Sequence, residues 1–287
     1  VSDLLTELQL SDKIVVYREL KLKHYKNLLK SLYSEPINVS NLFLNLNFIL
    51  EQITNLTKEE ITNLNCLEYL LLLLEIRTTS IGSSIFAIYN AENEPVNIEI
   101  PLNKTIVEIQ NCLNNFKPLQ FIDANVELNF IVPQIKDLTV KKYLWVKEDI
   151  SNLPLKYLKI INQYTKKINK YIEQYYFFNP NVEKYSIKLS LKTTNFIQFI
   201  KILFNENLFS IYENIFYLSK ICNMSAEYLE NCTYGEFKIF VKKTEEMLQK
   251  QTTPPQVNEE QEFTPIDINS LYGNKDIADI SPSEFTP

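Results

Sequence analysis

The stretch Asn65–Ser84, NCLEYLLLLLEIRTTSIGSS, leaves this chain little freedom in how it can fold. Asn65 can accept from the first free amides of a helix, and Glu68 stands three residues on, the spacing of a capping box. From Leu67 to Ile76 nearly every position is apolar, so such a helix has no polar face to turn outward. A helix apolar all round is a buried helix. The run is flanked by Glu68, Glu75 and Arg77, and it is too short for the ~20 residues that cross a bilayer. After Thr78 the β-branched residues and Gly82 end it, and Ile85–Tyr89 reads as a strand. The sequence thus predicts a core helix that feeds a hairpin.

Covering that helix takes apolar material, and the 287 residues supply it at 45% hydrophobic and 12% aromatic. The length suits two modest domains or one extended one. Glycine is confined to Gly82, Gly235 and Gly273, which argues against a glycine-rich phosphate loop, where a Cβ would block close backbone approach. The wealth of Asn, Lys, Ile and Tyr reads as the imprint of an AT-rich genome. The net charge of −6 resides in residues 251–287, where seven acids face Lys275 alone, so the body is neutral. A neutral body sets up no general attraction for nucleic acid or membrane.

Period and punctuation place the remaining elements. Lys13–Arg18 reads as a strand, Leu20–Tyr33 as a helix closed by Pro36, and Val39–Ile53 as a second helix. Thr57 and Glu60 form a capping box for a short third one. Ile85–Tyr89 and Val96–Ile100 bracket a hairpin loop, NAENEP. Lys104–Asn114 is helical, and Leu119–Ile122 and Val126–Val132 are strands. From Pro154 the pattern is helical, with a stripe of Leu158, Ile161, Thr165, Ile168, Ile172 and Tyr175 stopped by Asn179-Pro180. Thr194–Phe204 and Leu208–Cys222 follow, Ser225 caps a short helix, and Thr233 with Glu236 caps the last, to about Gln249. The expectation is an α+β chain: an α+β domain over 1–133, a mainly helical module over 134–250, and a disordered acidic tail over 251–287. The tail repeats Glu-Phe-Thr-Pro at Glu262 and Glu284, a pattern open to reading as paired docking motifs or as chance.

Chemistry-bearing residues are few. His24 is the single histidine, on a lysine-rich helix with no Cys or acid motif around it, and it reads as structural. Cys66, Cys112, Cys222 and Cys232 show no CxxC pairing and read as buried free thiols. No spacing of Cys and His supplies a tetrahedral zinc set, and no GxSxG, P-loop or HExxH occurs. No catalytic residue, cofactor or metal is therefore expected. No signal peptide or spanning segment is legible, so the expected setting is a cytoplasm, and the Asn-linked glycosylation sequons read as chance. The segment Lys136–Lys170 holds nine lysines interleaved with Tyr143, Trp145, Tyr157, Tyr164 and Tyr171, a composition shared with some nucleic-acid-binding surfaces. On the helix, Lys156, Lys159, Lys166 and Lys170 lie off the apolar stripe, as they would on any solvated face. Those four lysines, with Phe237 and Phe240 of the last helix and Phe263 and Phe285 of the tail, are the candidate partner-binding residues.

The order of elements carries a resemblance. Val16-Tyr17-Arg18-Glu19 ends a strand, Lys23-x-x-Lys26-x-Leu28-Leu29 follows, and then comes the Leu42–Ile53 helix. Asn65-Cys66-Leu67-Glu68-Tyr69-Leu70 leads into Leu74-Glu75-Ile76-Arg77-Thr78-x-Ser80-Ile81-Gly82 before a hairpin. Over roughly residues 10–110 this resembles the T-even-type phage baseplate hub subunit family, whose members read "KYREF…K.EK.LL" and later "D.EYLFL.LR..S.GE". Two departures stand out. Tyr89–Pro95 lacks the paired cysteines of a zinc-ribbon kind that many members carry, and Ser83 replaces the usual acid. Phe199–Gln249 is more similar to hub-assembly or tape-measure chaperones of such phages. The resemblance implies a non-enzymatic structural protein of the tail tip, in the virion baseplate or in the host cytoplasm during assembly. Its partners would be other baseplate hub proteins or the tape-measure protein. A chaperone absent from the finished particle and a nucleic-acid adaptor using Lys136–Lys170 are the alternatives.

Overall fold

The computed structural model describes residues 5–34, 38–91, 94–123, 126–140, 146–147, 149–173, 176–177, 187–188 and 193–252. The fold is α+β, and each sheet among the described residues is a two-stranded antiparallel hairpin. Strands β1 (Thr6–Gln9) and β2 (Ile14–Tyr17) pair with Leu8 opposite Val15. Helices α1 (Leu22–Tyr33), α2 (Val39–Ile53), α3 (Lys58–Asn63) and α4 (Cys66–Ser80) follow. The hairpin of β3 (Ser84–Ala91) and β4 (Glu94–Pro101) pairs Ile85 with Ile100. It runs closer to its turn than the predicted six-residue loop allowed, because Ala91 still faces Glu94. Helix α5 (Leu102–Asn115) leads to β5 (Leu119–Asp123) and β6 (Val126–Phe130).

The second half holds α6 (Ile135–Val140), α7 (Lys156–Glu173) and the short pair β7 (Tyr176–Phe177) and β8 (Ile187–Lys188). Then come α8 (Thr193–Leu203), α9 (Leu208–Ile221), α10 (Ala226–Asn231) and α11 (Tyr234–Thr252). Strand β1 was not predicted, and Asn179-Pro180 lies outside the described residues.

The organising helix behaves as its sequence requires. Asn65 accepts from the amides of Leu67 and Glu68, both at 3.0 Å, and Glu68 reaches back to the Asn65 amide at 3.3 Å. Every residue from Cys66 to Leu74 is buried. Each leucine so buried is worth roughly 1.5–3 kcal/mol, so α4 contributes strongly to the core. Some of its polar groups have partners: Tyr69 donates to Asn47 of α2 at 2.9 Å, and the Ser80 hydroxyl accepts the Leu20 amide at 2.8 Å, whereas the buried Thr78 hydroxyl has none. Glu68 also accepts from the Ser11 amide, tying the first hairpin to the start of α4.

The division of the chain into compact units does not fall at the expected 133. The chain divides into the units Val1–Thr244 and Glu245–Pro287, and residues from both predicted domains share one core. Arg77 Nε donates to the Leu203 carbonyl at 3.1 Å, and the Leu20–Leu22 strip pairs with Cys232–Tyr234 through two backbone bonds of 2.9 and 3.0 Å. Tyr25 packs on Tyr234 with ring centroids 4.5 Å apart. Residues of the second half thus join the core around α1 and α4. Of the second unit only Glu245–Thr252, the end of α11, is described; the rest of the tail lies outside the described residues.

Candidate functional site

Three features of the surface merit building up from their residues. The first is a cleft of about 750 Å³ where the N-termini of α1 and α11 meet the C-terminus of α2. Thr233 caps α11 by accepting the Glu236 amide at 3.2 Å, and Glu236 returns to the Thr233 amide at 2.8 Å. Arg18, Lys21, Lys23 and His24 line the cleft on one side and Cys232 and Glu236 on the other. His24 is 7% exposed, its Nδ1 has no hydrogen-bond partner, and burial beside Lys23 holds its pKa below the ordinary value. Cys232 shares this cleft, but its thiol donates to the Leu229 carbonyl at 2.9 Å and burial raises its pKa to about 11. A cysteine nucleophile needs the opposite, a thiolate favoured at neutral pH by a hydrogen-bonded base. Burial likewise raises Cys66 well above the usual thiol range and Cys112 to about 12. Cys222 is the exposed thiol, where burial was expected for all four.

The second feature is α7. Lys156, Lys159, Lys166 and Lys170 are exposed, as is Lys167. No acidic residue occurs between Asp149 and Glu173, so this face is wholly cationic along the helix, with Asp123 of β5 3.8 Å from Lys156. The tyrosines among these lysines face the other way. Tyr157 is buried and donates to Asp123 at 2.8 Å, and Tyr164 stacks on Phe130 at 4.7 Å. Tyr171 donates to the Cys112 carbonyl at 3.3 Å. These rings bind α7 to α5 and the β5–β6 hairpin, so they form no stacking platform for bases. Tyr143 and Trp145 lie outside the described residues.

The third feature was not legible as a site beforehand. Helix α9 buries Ile211 and Leu218 and turns Phe209, Tyr212, Phe216, Tyr217 and Ile221 outward. Phe209 is 67% exposed and Phe216 59%. Lysines adjoin the patch: Lys30 of α1 stands 5.8 Å from the Tyr212 ring centre and Lys220 5.9 Å from that of Phe216, while Lys26, buried and paired with Glu230, stands 5.1 Å from Tyr212. Apolar residues on both faces of α9 were the available signal, but periodicity alone does not say which face a neighbour covers.

The predicted partner residues fare unevenly. The four lysines are on the surface as expected. Phe237 is not: at 2% exposure it packs beside Tyr234 in the core. Phe240 is half-buried against the same core and 6.3 Å from the Tyr228 ring. Phe263 and Phe285 lie outside the described residues. Among the described residues no three metal-ligating side chains converge, and no helix is long and apolar enough to cross a membrane.

No family model, curated protein or solved structure matches this chain.

Proposed function

We propose that this chain is a non-enzymatic structural or assembly protein of a phage tail, a baseplate hub subunit that acts through protein–protein contacts. The observation that supports contact-making is the α9 face. Exposed aromatic rings gathered on one helix face beside Lys30 and Lys220 suit an association surface better than scattered solvent exposure. The phage assignment draws on the Glu68-Tyr69-Leu70…Arg77…Ser80-x-Gly82 resemblance. These residues have structural work that explains their spacing: Glu68 closes a cap, Arg77 and Ser80 hold backbone groups, and Gly82 adopts a φ of +132°.

The cationic α7 face favours an acidic protein partner, since the tyrosines beside it are engaged in packing. Quantitative mass spectrometry of the assembled particle beside the lysate tests the assignment. A fixed small copy number in the particle is the expected result. Presence only in the lysate, bound to a hub or tape-measure protein, would turn the reading to a chaperone, and presence in neither would refute the phage-tail reading.

A further inference from the structure

We infer that the exposed face of α9 is a two-fold contact between two copies of this chain, with the helices antiparallel and Glu213 of each copy against Lys220 of the other. The inference names the occupant of the α9 face and rests on reading that face as a contact surface, not on the phage assignment. Phe209, Glu213, Phe216 and Lys220 recur at four, three and four residues and are all exposed, which makes them the centre line of the outward face. Glu213 and Lys220 are separated by two turns, about 10.5 Å of rise, so they cannot pair with each other. Among the described residues neither has an ion-pair partner; Glu213 stands between Phe209 and Phe216 along the helix, and Lys220 lies 5.9 Å from the Phe216 ring centre.

A partner that covers these rings must therefore offer a cation opposite Glu213 and an anion two turns further on, in the reverse order. An antiparallel α9 offers that order. With Glu213 against Lys220 of the second copy, Phe216 meets Tyr217 at the dyad and Tyr212 meets Ile221. The Glu213–Lys220 pair then forms twice, once on each side of the dyad, and the apolar side chains cover one another, as a self-complementary two-fold contact requires. A parallel pair would set Glu213 against Glu213, so the charges also select the orientation.

Sedimentation equilibrium on the full chain tests this across about 1–100 μM, the range in which contacts of modest size dissociate. The expected mass is twice 33.8 kDa. Glu213→Lys and Lys220→Glu, each with unchanged far-UV circular dichroism, are expected to be monomeric alone, because each sets like charges together. An equimolar mixture of the two variants, or both changes in one chain, is expected to restore the dimer. A monomeric wild type overturns the inference. So does a dimer indifferent to the single changes, or a loss that the mixture fails to restore. A monomer that nonetheless co-purifies with tail particles removes this contact alone, whereas a dimer found with no tail protein removes the assembly role alone.

Discussion

Replacing Arg77 by Met removes a buried fork that joins three parts of the chain. Arg77 is 4% exposed, and its guanidinium donates from Nε to Leu203, from Nη1 to Gly82 and from Nη2 to Ser84, the first and last at 3.1 Å. Methionine keeps the apolar stem but leaves three backbone carbonyls without that donor. A buried acceptor so stranded costs about 1–3 kcal/mol. The loss is offset in part because burial already penalises the charged guanidinium, holding its pKa below the ordinary value. The low end, about 1 kcal/mol for each of the three carbonyls, is therefore the appropriate one, a net loss of about 3 kcal/mol. Urea unfolding of wild type and Arg77→Met measures it directly. With a slope of about 3 kcal/mol/M the midpoint falls by about 1 M. Arg77→Lys should fall between, since one ammonium cannot serve three divergent carbonyls. A variant within about 0.5 kcal/mol of wild type would refute the structural role assigned to Arg77. Two separated transitions in the wild type would refute the shared core.

Three further outcomes are expected. Asn65→Ala removes the acceptor for two amides at the start of α4 and should lower stability by about 1–2 kcal/mol in the same assay; no change would mean that water or Glu68 replaces the cap. His24 is held neutral with a lowered pKa, so its contribution is present above about 6.5 and is lost as pH falls below that value. Wild type should therefore lose more stability than His24→Gln between about pH 7.5 and pH 5, and parallel curves would sink the idea. Under native conditions a thiol reagent should label Cys222 and spare Cys66, Cys112 and Cys232, with all four reacting in denaturant; rapid labelling of a second site in the folded protein would contradict their burial.

Local signals in the sequence were sufficient wherever a helix end or a stripe carried its own chemistry. The caps at Thr57, Asn65, Ser225 and Thr233 are all made by side chains adjacent in sequence to the amides they serve, so they could be read directly. The all-round burial of α4 followed from its lack of any polar face, and the α7 stripe followed from its period. What the tertiary structure decided was which of several equally apolar faces found a neighbour. Phe237 and Phe216 both sit on helices with apolar residues to spare, yet Phe237 meets the α1–α4 core and Phe216 faces outward. The union of the two predicted domains was hidden for the same reason. It depends on Arg77 reaching Leu203 and on Leu22 pairing with Cys232, and contacts between residues so distant in sequence leave no trace in local period or composition.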